Sequence, residues 1–106
     1  MSRHALRSTT AALLLLVTAP AHAAATATVT IKNFDFAPMS LTVDAGTTVS
    51  WRNEDEEPHT VVSENGLFRS KAIDGGEAFA FKFAKPGTYK YFCTIHPRMI
   101  GTIVVR

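Results

Sequence analysis

Cys93, His96 and Met99 stand three residues apart in the stretch Cys93-Thr94-Ile95-His96-Pro97-Arg98-Met99, which follows an apolar, strand-like run. A thiol, an imidazole and a thioether this close together form a soft donor set. One thiolate, histidines and a long, weak thioether bond are the ligands that suit copper. A second imidazole, His59, lies upstream in a strand-turn context and would bring the set to two histidines, one cysteine and one methionine. Each residue also has an ordinary reading alone. His59 could be a satisfied or surface histidine, Met99 a core filler and Cys93 a buried apolar side chain. Zinc accepts the same donors. A thiol enzyme would use Cys93 as nucleophile with His59 or His96 as base, but the sequence shows no orienting acid or oxyanion site for it.

The elements that must position these residues are strands. No segment repeats apolar residues at helical spacing over three turns, and period-2 alternation is widespread. Thr28–Phe36 alternates through Val29 and Ile31 to Phe34 and Phe36, with Asn33 marking a shift of face. Leu41–Val43 is a short strand. Thr47–Asn53 places Val49 and Trp51 on one side, and His59–Ser63 reads as a further strand. Glu77–Phe83 aligns Phe79, Phe81 and Phe83. Thr88–Cys93 puts Tyr89, Tyr91 and Cys93 on one face, and Gly101–Arg106 ends the chain. Asn65-Gly66, Gly75-Gly76 and Pro86-Gly87 are turn signals. Residues 67–74 fit a loop, an irregular edge strand or one helical turn. About seven or eight short strands separated by turns give an all-β chain, an antiparallel sandwich or barrel.

The first 23 residues have the three-part pattern of a cleavable signal peptide. Arg3 and Arg7 precede the apolar core Ala11–Val17, and Ala21-His22-Ala23 offers small residues for cleavage after Ala23. A membrane span would need roughly 20 apolar residues, and Thr18 and Pro20 interrupt this run. Residues 24–106 are then one exported domain. Removing Arg3 and Arg7 leaves nine basic residues against nine acidic ones, so charge gives no reason to expect nucleic acid as a partner. His4 and His22 also leave with the leader, which leaves His59 and His96 as the domain's two histidines. A lone cysteine is unusual in an exported domain of this size. It could be an inert buried thiol, a reactive or intermolecular thiol, or a metal ligand.

The segments Val49-Ser50-Trp51-Arg52-Asn53, Pro58-His59-Thr60-Val61 and Gly87-Thr88-Tyr89-Lys90-Tyr91-Phe92-Cys93-Thr94-Ile95-His96-Pro97-Arg98-Met99-Ile100-Gly101 resemble a cupredoxin of the plastocyanin/amicyanin type, amicyanin especially. The short ligand loop carries this likeness, with two residues between Cys93 and His96 and two between His96 and Met99. The resemblance covers nearly all of residues 28–106. It implies a Greek-key β-sandwich holding one type 1 copper at one end, with His59, Cys93 and His96 as strong trigonal ligands and Met99 as the weak axial one. It implies an electron carrier rather than an enzyme, meeting transient redox partners. A periplasmic carrier that delivers the ion is the alternative.

The resemblance also assigns supporting roles. Asn53 would brace the ligand loops near Thr94 and direct an N–H at the Cys93 sulfur. Ile95 stands where amicyanins usually carry a proline, which has no N–H, so it would add a second donor to the thiolate and raise the reduction potential. Arg98 replaces a usual aromatic. The expected docking patch is Ile95, Pro97 and Ile100 around His96, and the run Glu54-Asp55-Glu56-Glu57 could steer a cationic partner. A monomer is expected.

Overall fold

The computed structural model describes residues 25–106. The signal peptide expected over residues 1–23 and its cleavage site lie outside the described residues. Eight strands follow in order: β1 (Thr26–Lys32), β2 (Asp35–Ala37), β3 (Ser40–Val43), β4 (Thr47–Asn53), β5 (Val62–Ser63), β6 (Ala78–Phe83), β7 (Gly87–Phe92) and β8 (Ile100–Val105). They form two four-stranded sheets, β2-β1-β4-β6 and β3-β8-β7-β5. The chain is therefore an all-β sandwich. Among the described residues no helix is long and apolar enough to cross a membrane.

Alternation decides which side chains meet between the sheets. β4 turns Val49, Trp51 and Asn53 inward, and β8 turns in Gly101, Ile103 and Val105. Trp51 has no exposed surface and packs among the rings of Phe68, Phe79, Phe83 and Tyr91, at centroid distances of 5.3–6.2 Å. Cys93 continues the inward parity of Tyr91 one residue past the end of β7 and is fully buried.

The strands differ from expectation in three places. The run Thr28–Phe36 is two strands, not one, because Asn33 and Phe34 both take positive φ (53° and 58°) and turn the chain back on itself. The sheets are mixed: β1 pairs with β4 in parallel, and β3 with β8 likewise. Each such pair is separated by a crossing to the opposite sheet, which a simple hairpin cannot make. The strand expected at His59 begins only at Val62, and His59 itself makes a single bridge to Ile73. Residues 67–74 are the irregular-edge alternative, bonded back through Ser63 N–H to Phe68 O and Ser70 N–H to Val61 O.

β1, β4 and β7 all finish at the end of the sandwich where β8 begins. The β1–β2 turn, the loop Glu54–His59 and the loop Cys93–Met99 therefore gather there.

Candidate metal centre

The loop after β7 is a tight turn. The Cys93 N–H donates to Met99 O (3.1 Å), and the Met99 N–H donates to His96 O (2.9 Å). Cys93 and Met99 are thereby fixed side by side, both buried, with His96 half-buried between them. His59 comes from the other loop and is fully buried. Its Nδ1 lies 3.2 Å from His96 Nδ1 and 3.9 Å from Cys93 Sγ. The donor atoms of His59, Cys93 and His96 all lie within 4.8 Å of one another.

Thr60, next to His59, joins the two loops. Its N–H donates to Cys93 Sγ (3.4 Å), its hydroxyl lies 3.8 Å from the same sulfur, and its Oγ1 accepts the Thr94 N–H at 2.7 Å. The Thr60 and Thr94 hydroxyls are 2.7 Å apart. Burial pushes the Cys93 thiol pKa up. Backbone hydrogen bonds from Thr60 and His96 and side-chain contacts with His59 and Thr60 outweigh it, bringing the thiol from 9.0 down to about 6. Pre-formed donors thus favour the thiolate, the form that binds metal.

Asn53 is buried and its donors are fully used. The side-chain Nδ2 donates to Glu57 O (2.8 Å) and Ile73 O (2.9 Å), and the backbone N–H goes to Glu77 O. It braces the loop that carries His59 and has no donor left for Cys93 or Thr94. The expected N–H from Asn53 to the sulfur is thus replaced by that of Thr60. On the Cys93 loop itself, the backbone of His96 contributes to the lowered thiol pKa.

The acidic run divides. Glu54, Glu56 and Glu57 are exposed, whereas the Asp55 side chain is only 9% exposed. Asp55 Oδ2 lies 2.9 Å from His59 Nε2 and accepts the Phe34 N–H at 3.0 Å, and its Oδ1 accepts the Asn33 N–H at 2.7 Å. Burial raises the Asp55 pKa, but the Phe34 and Asn33 N–H groups, then His59, carry it below the usual carboxylate value. The carboxylate is therefore an acceptor only, the Nε2–H of His59 donates to it, and Nδ1 faces Cys93 and His96.

The cupredoxin-like domain family matches residues 6–105. This chain belongs to the cupredoxins. The cupredoxin is 35% identical over 80 residues to amicyanin from Paracoccus versutus, covering 71% of this chain and 61% of the relative. It therefore spans about three fifths of that amicyanin's length. Over 84 residues it is 37% identical to plastocyanin from Scenedesmus fuscus, covering 67% of this chain and 86% of the relative. The solved structure of a purple cupredoxin from Nitrosopumilus maritimus superposes with a TM-score of 0.70 at 33% identity, covering 76% of this chain and 99% of that one.

The donor set of this cupredoxin fits a type 1 copper. Bonds of about 2.0 Å to imidazole nitrogen and about 2.3 Å to thiolate would leave donors sharing one ion roughly 3–4.5 Å apart. The separations of 3.2 and 3.9 Å lie in that range, and the thiolate and buried thioether supply the softness copper prefers.

Three contributors escaped the sequence reading: Asp55, Thr60 and Phe34. The signal for Asp55 was its place two residues after Asn53, whose Oδ1 accepts the Asp55 N–H at 2.9 Å in an Asx turn. Phe34 sits edge-on to both imidazoles, with ring centroids 5.4 Å from His59 and 4.9 Å from His96. Asp55 also supplies the orienting acid that a thiol enzyme would need. Cys93, however, has no exposed surface, and none of the described cavities is lined by it or by either histidine.

Proposed function

We propose that this cupredoxin carries single electrons between protein partners, with His59, Cys93 and His96 as the strong ligands of one type 1 copper and Met99 as its weak axial ligand. The observation that carries this reading is the convergence of one nitrogen from each of two imidazoles and the Cys93 sulfur within 4.8 Å, at a site where His59 and Cys93 are buried and His96 is half-buried. Copper, when bound, supplies the one-electron Cu(II)/Cu(I) couple.

The protein's residues do the rest. His59 is fixed by its bond to Asp55, and Cys93 by the N–H groups directed at its sulfur. Ligands held before metal arrives have little rearrangement to make when the charge of the site changes. Burial keeps bulk water from Cys93, His59 and Met99. His96 is half-buried, with exposed Ile95, Pro97 and Ile100 on its own loop and exposed Phe34 against its ring. Small apolar patches of this kind serve short-lived redox encounters, and we assign docking to this one. Glu54, Glu56 and Glu57 remain free to steer a cationic partner, so association with one should slow as salt rises. We further propose that residues 1–23 are a signal peptide and that residues 24–106 act as a monomer in the periplasm or an equivalent exported compartment.

Ion delivery is the rival function for the same ligands. Repeated reduction and oxidation of the leaderless, copper-loaded protein beside a Cu(I) chelator separates the two. An electron carrier keeps its copper through every cycle. Loss of the ion to the chelator on each reduction would favour delivery instead.

A further inference from the structure

We propose that Asp55 is a positioning residue for the copper ligand His59, and that the same carboxylate holds Phe34 across both imidazoles. This rests on the copper reading above and names what sets the orientation of one ligand.

The carboxylate ends three otherwise separate pieces of chain. Its Oδ2 meets His59 Nε2 at 2.9 Å, and its two oxygens accept the N–H groups of Asn33 and Phe34. Its own N–H is pinned by Asn53 Oδ1. With the His59 side chain fully buried and that of Asp55 9% exposed, water competes poorly for this bond. An exposed ion pair of the same length would be worth little.

The turn at Asn33 and Phe34 needs such support. Lys32 pairs with Asp35 across it, so it is a two-residue hairpin with both residues at positive φ. Asparagine followed by glycine is the favoured sequence for that geometry. A phenylalanine at φ 58° is disfavoured. The Asp55 oxygens stabilise this turn, and in it the Phe34 ring stands nearly perpendicular to both histidines, at 89° and 83°.

A chemical consequence follows. A carboxylate accepting the outer N–H of an imidazole fixes its tautomer and raises its basicity as a ligand. The negative charge favours the more highly charged oxidation state. Asp55 therefore stabilises Cu(II) relative to Cu(I) and lowers the reduction potential, which a residue that only fastened the turn would not do.

The test compares Asp55→Asn, Asp55→Ala and Glu54→Gln in the copper-loaded protein. The last removes a neighbouring exposed carboxylate that makes no bond to His59. Asp55→Ala is expected to weaken Cu(II) binding about 10–100-fold and Cu(I) binding less, so the potential rises. Each tenfold difference between the two losses is about 59 mV for one electron. Asp55→Asn should shift it the same way by less, and Glu54→Gln hardly at all. Equal potentials for the Asp55 and Glu54 variants would overturn the proposal.

A second readout needs neither copper nor a variant. In the metal-free wild type, nuclear magnetic resonance should show the His59 Nε2–H protected from exchange and the Phe34 ring close to both imidazoles. Exchange as fast as at His96 would also overturn it. If the wild type instead takes up copper without the type 1 spectrum, the functional reading fails while the His59–Asp55 bond is still measured in the metal-free protein.

Discussion

The loop from Cys93 to Met99 closes on itself through two short backbone bonds and hangs between adjacent strands β7 and β8. The loop from Glu54 to His59 is held by groups from elsewhere: Asn53 on β4, Ile73 on the irregular edge, and the Asn33–Phe34 turn through Asp55. One loop presents three donors from seven consecutive residues, and the other presents a single histidine. The contrast is between ligands fixed by local geometry and a ligand fixed by the surrounding fold. Thr60 and Thr94, each directly after a ligand, tie the two together.

The largest way to probe the local loop is its thiol. In the folded, metal-free protein Cys93 ionises near 6, against an ordinary value of 9.0. Between those values the unfolded chain binds more protons at this site, so stability rises with pH across that window. The contribution is fully present above about pH 9 and is lost as pH falls through the folded value. Denaturant unfolding of the metal-free protein at several pH values checks this, and Cys93→Ser should remove the slope. An equally steep slope in the serine variant would contradict it.

The distant brace comes next. Asn53→Ala removes three side-chain hydrogen bonds that brace the His59 loop, one buried and two partly buried, and should cost about 2–4 kcal/mol, since partners are left unsatisfied. Copper affinity should fall with it. A loss confined to global stability, with affinity untouched, would mean that the loop keeps His59 in place without Asn53. Gly101→Ala tests the strand under the other loop. A methyl group there would run into the Tyr91 ring, and overpacking of this kind costs about 1–3 kcal/mol. The smallest effect is expected from Thr60→Val, which removes the acceptor for Thr94 N–H but keeps the backbone donor to the sulfur. A loss of about 1 kcal/mol is expected, with the visible spectrum retained. A double-mutant cycle with Thr94→Val should show coupling between the loops.

This asymmetry also explains what could be read in advance. Cys93, His96 and Met99 were legible because their spacing is their geometry: a three-residue rhythm at a strand end leaves few ways to fold. Period-2 alternation located β4 and β6 to within a residue because Val49, Trp51 and Phe83, with the half-buried Phe79 and Phe81, mark the inward face. His59 was legible only as a residue type awaiting partners. Asp55 looked like its acidic neighbours because nothing local distinguishes an inward carboxylate from an exposed one. Its partners, Asn33 and Phe34, are 22 and 21 residues away. The parallel pairing of β1 with β4 was hidden for the same reason, since register between distant strands is set by packing rather than by either strand alone.

The most direct measurement is the visible spectrum of the leaderless protein after one equivalent of cupric ion. An intense thiolate-to-copper charge-transfer band is expected, bleached on reduction and absent in Cys93→Ser. A colourless wild-type protein, or a band that survives in the serine variant, would contradict the assignment of Cys93 and the two histidines to a type 1 copper centre.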